Sequence, residues 1–197
     1  MAEIQAPKPQ WRVDIIVSVC AMLVSLATFG IYLYQTKIIH EQARASVYPH
    51  LEIERRYGSE KEPYFKLLIK NVGIGPAFLK SMEIEFKGKI YKSKGIDGNL
   101  PIYFLRQILP NDDTFPFLGV GGIIPMVLPA GGDEMLLNLS SNKKEDMKLL
   151  VDIFDNAKIK ICYSSVYKDY WTTEKWKQPI ECKNCENEDL FKPIKNE

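Results

Sequence analysis

The chain has 197 residues, 46% of them hydrophobic and 26% charged, with 26 Lys+Arg against 25 Asp+Glu. A net charge near zero lacks the basic footprint that phosphate-backbone binding requires, so no nucleic-acid partner is expected. Only two histidines occur, both flanking an apolar segment, which removes Ser-His and Cys-His nucleophile pairs and multi-histidine metal sites from the rest of the chain. No enzyme activity, catalytic residue, cofactor or metal is expected.

In chain order, residues 1–12 form a polar flank and Val13 to Tyr34 form a 22-residue run whose single charge is Asp14. A hydrocarbon core of ~30 Å needs about 20 apolar helical residues, because each backbone N–H and C=O must be satisfied inside the helix. The run meets that length, and Trp11, Tyr32 and Tyr34 supply aromatic rings at its ends. A cleaved signal peptide would have a shorter apolar stretch of roughly 7–15 residues. Residues 13–34 therefore read as a transmembrane helix whose first partner is the lipid bilayer. Ser18, Ala21, Ser25 and Thr28 recur on one stripe of it, a candidate face for homo-oligomers because small residues let helices approach closely. Residues 35–47 contain no Gly or Pro and continue the helix as a juxtamembrane stalk, until Pro49 turns the chain extended.

Charge close to the span is balanced, Lys8 and Arg12 before it and Lys37 and Arg44 after it. Arg55 and Arg56 tip the balance, and Cys162, Cys182 and Cys185 are an odd number where an oxidising compartment favours pairs. Together they favour a cytoplasmic domain.

Residues 48–180 carry period-2 alternation. Leu51 and Ile53 alternate with Glu52 and Glu54; Phe65, Leu67 and Ile69 with Lys66 and Lys70; Met82, Ile84 and Phe86 with Glu83, Glu85 and Lys87. Met135, Leu137 and Leu139 mark a further strand, Ile159, Ile161 and Tyr163 another, and Asp169 to Lys175 completes a hairpin. Met147, Leu150, Val151 and Phe154 instead fall at helical spacing, with Asn142 placed to cap the helix. In the Pro- and Gly-rich stretch from Gly95 to Gly132, Leu105 to Leu109 suits a helical turn and Ile123 to Leu128 an edge strand. The pattern predicts a mainly β domain, an antiparallel β-sandwich of immunoglobulin-like type with one or two short helices. Residues 181–197 read as a polar tail.

Four motifs invite chemistry. Asn71-Val72-Gly73-Ile74-Gly75-Pro76 lacks the following helix N-terminus that a phosphate loop needs, so Asn71, Gly73, Gly75 and Pro76 read as a structural turn, a bulged connection whose glycines hold positive φ. Cys182 and Cys185 form a CxxC without the second pair that structural zinc uses, and read as tail or loop thiols. The pairs Glu52/Glu54 and Glu83/Glu85 read as solvated strand faces. Tyr167, Tyr170, Trp171 and Trp176 make a candidate interaction surface beside core aromatics such as Tyr163.

The order of apolar helix, stalk, the stretch 41–52 ending Tyr-Pro-His-Leu-Glu, the stretch 70–77 containing Asn-Val-Gly-Ile-Gly-Pro-Ala, and Ile-Cys-Tyr-Ser-Ser-Val-Tyr at 161–167 with Trp171 resembles a family of uncharacterised bacterial single-pass membrane proteins with a β-rich soluble domain. The resemblance covers about residues 13–175 and implies architecture only. The expected function is a membrane-anchored, non-enzymatic binding or interaction protein whose partner, a protein or a small molecule, has no signature in the chain. The alternative is a membrane effector of stress or phage defence that responds to a ligand bound by its soluble domain. A hydrolase is the least favoured class.

Overall fold

The structure is a computed structural model that describes residues 11–59, 63–93, 99–109, 117–119, 124–141, 144–174 and 177–185. It falls into two units, Met1–Ala45 and Ser46–Glu197. The first holds one helix, α1 (Trp11–Ala45), continuous through the expected span and stalk, and long and apolar enough to cross a membrane. Its apolar side chains are exposed on every face, as a helix solvated by lipid requires.

The second unit is mainly β. Its elements are β1 (Leu51–Tyr57), β2 (Tyr64–Asn71), β3 (Ala77–Phe86), β4 (Lys89–Lys92), α2 (Leu100–Ile108), β5 (Phe117–Gly119), β6 (Met126–Leu128), β7 (Asp133–Ser140), α3 (Lys144–Asn156), β8 (Lys158–Ser164), β9 (Tyr170–Glu174) and β10 (Ile180–Cys182). Two antiparallel sheets result, one ordered β1-β2-β7-β5 and the other β10-β9-β8-β3-β4 with β6 also paired to β3. The alternating residues of the strands face inward from both: Leu51, Phe65, Leu67, Ile69, Leu137 and Leu139 from the first meet Leu79, Ile84, Ile159, Ile161 and Tyr163 from the second in one core. The short helices join it through rings, Phe154 of α3 stacking on Phe65 at 4.8 Å and Phe104 of α2 packing edge-on against Phe86, Tyr91 and Phe154. Asn99 caps α2, accepting the Ile102 N–H and donating to the Leu136 carbonyl at 2.6 Å. The expected cap of α3, Asn142, lies outside the described residues.

The turn after β2 is structural, for a different reason from the one expected. Positive φ occurs at Gly88 and Gly131, not at Gly73 or Gly75. A Cβ on Gly75 would run into the Val47 carbonyl, and one on Gly73 would fall 2.5 Å from the Tyr48 carbonyl, so both glycines are there for close backbone approach. Asn71 holds the junction. Its buried amide oxygen accepts from the His50 and Gly73 N–H groups, and its amide nitrogen donates to the Gly75, Leu128 and Pro129 carbonyls at 2.8–3.2 Å. One side chain thereby ties the strand entry at 47–50, the turn at 73–75 and the loop after β6.

Two further expectations change. The domain runs past residue 180, because Ile180–Cys182 pairs with β9 and Cys185 is bonded to β8; residues 186–197 lie outside the described residues. Glu83 is no solvated carboxylate. Its side chain is 5% exposed and pairs at 3.4 Å with Lys92, its register partner on β4 in the hairpin with β3.

Candidate functional site

Of the residues singled out from sequence, the small-residue stripe sits on α1. There the hydroxyls of Ser18, Ser25 and Thr28 each donate to the carbonyl four residues earlier, at 2.7–2.8 Å, so they need no second helix for satisfaction. The aromatic set does not form one surface. Tyr170 and Trp171 are neighbours on β9 and point to opposite faces of the sheet. Trp171 packs edge-on against Tyr48 at 5.2 Å and lies 5.9 Å from Tyr163, while Tyr167 stands 44% exposed in the turn between β8 and β9. Trp176 lies outside the described residues.

The structure assembles two sites that the sequence pattern does not reveal. The first centres on Arg55. On β1 the inward series Leu51, Ile53 ends at Arg55, whose side chain is 2% exposed. Its Nη1 donates to Asp155 Oδ1 of α3 at 2.6 Å, and that carboxylate is 52% exposed. Its Nε and Nη2 are buried and have no hydrogen-bond partner among the described residues. A buried N–H left unsatisfied costs about 1–3 kcal/mol, more on a charged group. Nε and Nη2 also form one edge of the planar guanidinium, the edge that takes a carboxylate or phosphate through two parallel bonds.

Arg55 lines a cleft of about 300 Å³ that runs along His50 to Arg55 of β1 and is closed on the other side by Thr173, Glu174, Lys177 and Gln178. Asp155 lines a second, more apolar cleft of about 450 Å³, between Tyr57, Phe65, Met147 and Val151. β1 is an edge strand. The His50 carbonyl accepts from Val72, so alternate residues from His50 onward bond to β2 while Leu51, Ile53 and Arg55 turn their backbone outward. The Leu51 N–H meets the Tyr163 hydroxyl and its carbonyl accepts from Thr173 Oγ1 at 3.1 Å. The outward backbone groups of Ile53 and Arg55 border the cleft. Two of its carboxylates are engaged by cations, Glu54 by Arg56 and Glu174 by Lys177. The Arg56 hydrogen bond holds the Glu54 carboxyl below its usual range. Away from the cleft lining, burial pushes the Tyr163 hydroxyl well above its ordinary value, only partly offset by the Leu51 N–H, and burial followed by the nearby Glu181 charge raises Tyr48. The sequence signal for Arg55 was the alternation of β1 itself, continued one step beyond Ile53.

The second site corrects the reading of the CxxC as tail thiols. Cys162 and Cys185 form a disulfide, with Cα atoms 5.7 Å apart, and Cys182 Sγ lies 3.7 Å from Cys162 Sγ. All three are buried in a cluster separate from the main core, packed by Tyr170. Cys162 sits between Ile161 and Tyr163, which face the core, so it points to the opposite face of the sheet. The meander β8-β9-β10 brings Cys182 to the same face, opposite Tyr170, which in turn pairs with Ser164 of β8. The bend at 183–185 then folds Cys185 back over β8, its sulfur 4.0 Å from the Tyr163 carbonyl.

Comparison with known proteins gives no match to this chain, neither to a family model nor to a curated sequence nor to a solved structure.

Proposed function

We propose that this chain is a non-enzymatic binding protein, held in a bacterial inner membrane by α1, whose sandwich captures an extended segment bearing a carboxylate along the outer edge of β1. The observation that carries this reading is the buried Nε/Nη2 edge of Arg55, which has no hydrogen-bond partner among the described residues, on a residue that lines the cleft. An extended chain added to an edge strand supplies main-chain hydrogen bonds, here to Ile53 and Arg55, and an acidic side chain or chain terminus supplies the two acceptors the guanidinium lacks. Nothing in this requires bond making. In this reading the domain lies on the cytoplasmic side, toward which Arg55 and Arg56 tip an otherwise balanced charge, and there the disulfide meets reducing conditions.

The test uses the full chain in detergent and a library of labelled peptides read by fluorescence anisotropy. Binding of an acidic peptide that falls at least tenfold in R55M, and equally when the peptide's carboxylates become amides, supports the reading. A library without acidic binders, or an R55M chain that binds as well as the parent, overturns it.

A further inference from the structure

The sulfur atoms of Cys162, Cys182 and Cys185 all lie within 4.8 Å of one another, on a face of the sheet apart from the Arg55 cleft. Only two of the three are joined. A stapling disulfide needs two cysteines, and here a third sulfur, that of Cys182, stands 3.7 Å from one of them. Thiolate ligands about 2.3 Å from a common metal ion stand roughly 3.7–4.0 Å from each other, in tetrahedral or trigonal geometry. The Cys162–Cys182 separation of 3.7 Å already meets this. The Cys162–Cys185 pair reaches it by opening the S–S bond and swinging Cys185. That residue lies in a bend after β10, outside the sheet ladder, so the swing breaks no strand pairing.

We propose that this cluster is a redox-gated metal site: oxidised, it is the Cys162–Cys185 disulfide, and reduced, it binds one thiophilic d¹⁰ cation through three thiolates. The gating step balances with a dithiol as reductant. The dithiol passes two electrons to the Cys162–Cys185 bond, which breaks to give two cysteine thiols, while the dithiol leaves as a cyclic disulfide. Binding of the cation then releases three protons from Cys162, Cys182 and Cys185. Buried thiolates repel each other and are poorly solvated, so a cation at their centre is what lets them ionise together. Sulfur donors select soft ions, monovalent copper and zinc foremost. Copper(I) is complete with three sulfurs, whereas zinc takes a fourth ligand, which a water could supply. Metal and disulfide exclude one another at Cys162 and Cys185, yet either one holds the C-terminal segment against β8. The site would keep its fold in both states while reporting the thiol poise of its compartment.

The experiment uses the full chain in detergent with Cys20 changed to Ser, so that the thiol in α1 contributes nothing. The protein is reduced anaerobically with a phosphine, freed of it, and titrated with copper(I) or with zinc(II) against a competing chelator. Elemental analysis reads stoichiometry, and X-ray absorption reads the neighbours of the metal. One equivalent per reduced chain with three sulfur neighbours is expected, together with at least a tenfold loss of affinity in C182S and no uptake by the oxidised chain. C182S retains the pair that forms the disulfide, so its oxidised fold can be verified independently by circular dichroism. Three sulfurs alone with copper identify a copper site, and an added oxygen neighbour with zinc identifies a zinc site. Equal retention by C182S and its parent, uptake by the disulfide form, or no uptake of either ion by the reduced chain overturns the proposal. If reduction unfolds the domain, recovery of its circular dichroism on adding metal supports the site, and failure to recover overturns it.

Discussion

Asn71 and Arg55 are buried polar side chains on adjacent strands, and their surroundings are opposite. The Asn71 amide uses both its oxygen and its nitrogen on five backbone groups drawn from three segments. Arg55 uses one nitrogen of three, on a carboxylate that is half in solvent. A polar group with every valence satisfied specifies a fold, because any rearrangement leaves several groups unpaired at once. A buried cation with a two-donor edge unsatisfied works against the fold locally, and such a group is explained by what it can bind. The contrast separates an architectural junction from a binding site within one sheet.

The largest effect should come from Asn71→Asp, which places a carboxylate oxygen against the Gly75, Leu128 and Pro129 carbonyls; a loss of roughly 3–5 kcal/mol is expected, as for an uncompensated buried charge. Tryptophan-detected thermal melts of the full chain measure it, and a loss below 1 kcal/mol would remove Asn71 from the role of junction. Next is Gly75→Ala, whose new methyl meets the Val47 backbone and should cost about 3 kcal/mol, at the upper end of overpacking. Gly88→Ala, at φ +78° in open space, should cost about 1–2 kcal/mol from backbone strain alone. If the two glycine variants melt in the reverse order, close approach is not what the turn after β2 demands. Arg55→Met sharpens the comparison most, with stability expected to hold or rise by about 1 kcal/mol, because an apolar side chain has no unsatisfied donors and Asp155 remains hydrated. A destabilisation as large as that of Asn71→Asp would make Arg55 a second structural group.

The smallest effect at neutral pH belongs to Tyr163. Its folded-state pKa is raised by burial above the ordinary value of 10.0, so its contribution is fully present below pH 10 and is lost as pH rises further, when the unfolded chain ionises first. Wild-type stability should fall by up to about 1.4 kcal/mol per pH unit above pH 10 relative to Tyr163→Phe. Denaturant curves at pH 9 and pH 11 with the same difference between the two chains would show that Tyr163 does not titrate on unfolding.

Most of the strands were legible because alternation is a local property of a half-buried sheet, and the runs around Leu67, Ile84 and Ile161 form strands β2, β3 and β8 where expected. The short strands β4 and β10 were not, since Lys89–Lys92 and Ile180–Cys182 are too brief for a periodic signal and exist through their pairing with β3 and β9. Gly73 and Gly75 were recognisable as a turn, but the residues that crowd them, Val47 to His50, come from elsewhere in the chain.

Residue order alone determined the long apolar helix and the mainly β character of the domain after it, because hydrophobic span length and two-residue periodicity are read within a window of neighbours. Which groups meet across the fold was decided by tertiary structure. Arg55 and Asp155 are 100 positions apart and meet only because α3 packs on β2, the neighbour of β1, with Phe154 stacked on Phe65. Cys162 and Cys185 lie 23 positions apart, and a three-strand meander with a bend after it is what carries their sulfurs, and that of Cys182, to one face. Both sites depend on strand register and sheet order, which are set by the closing of the core over all strands together rather than by any one segment.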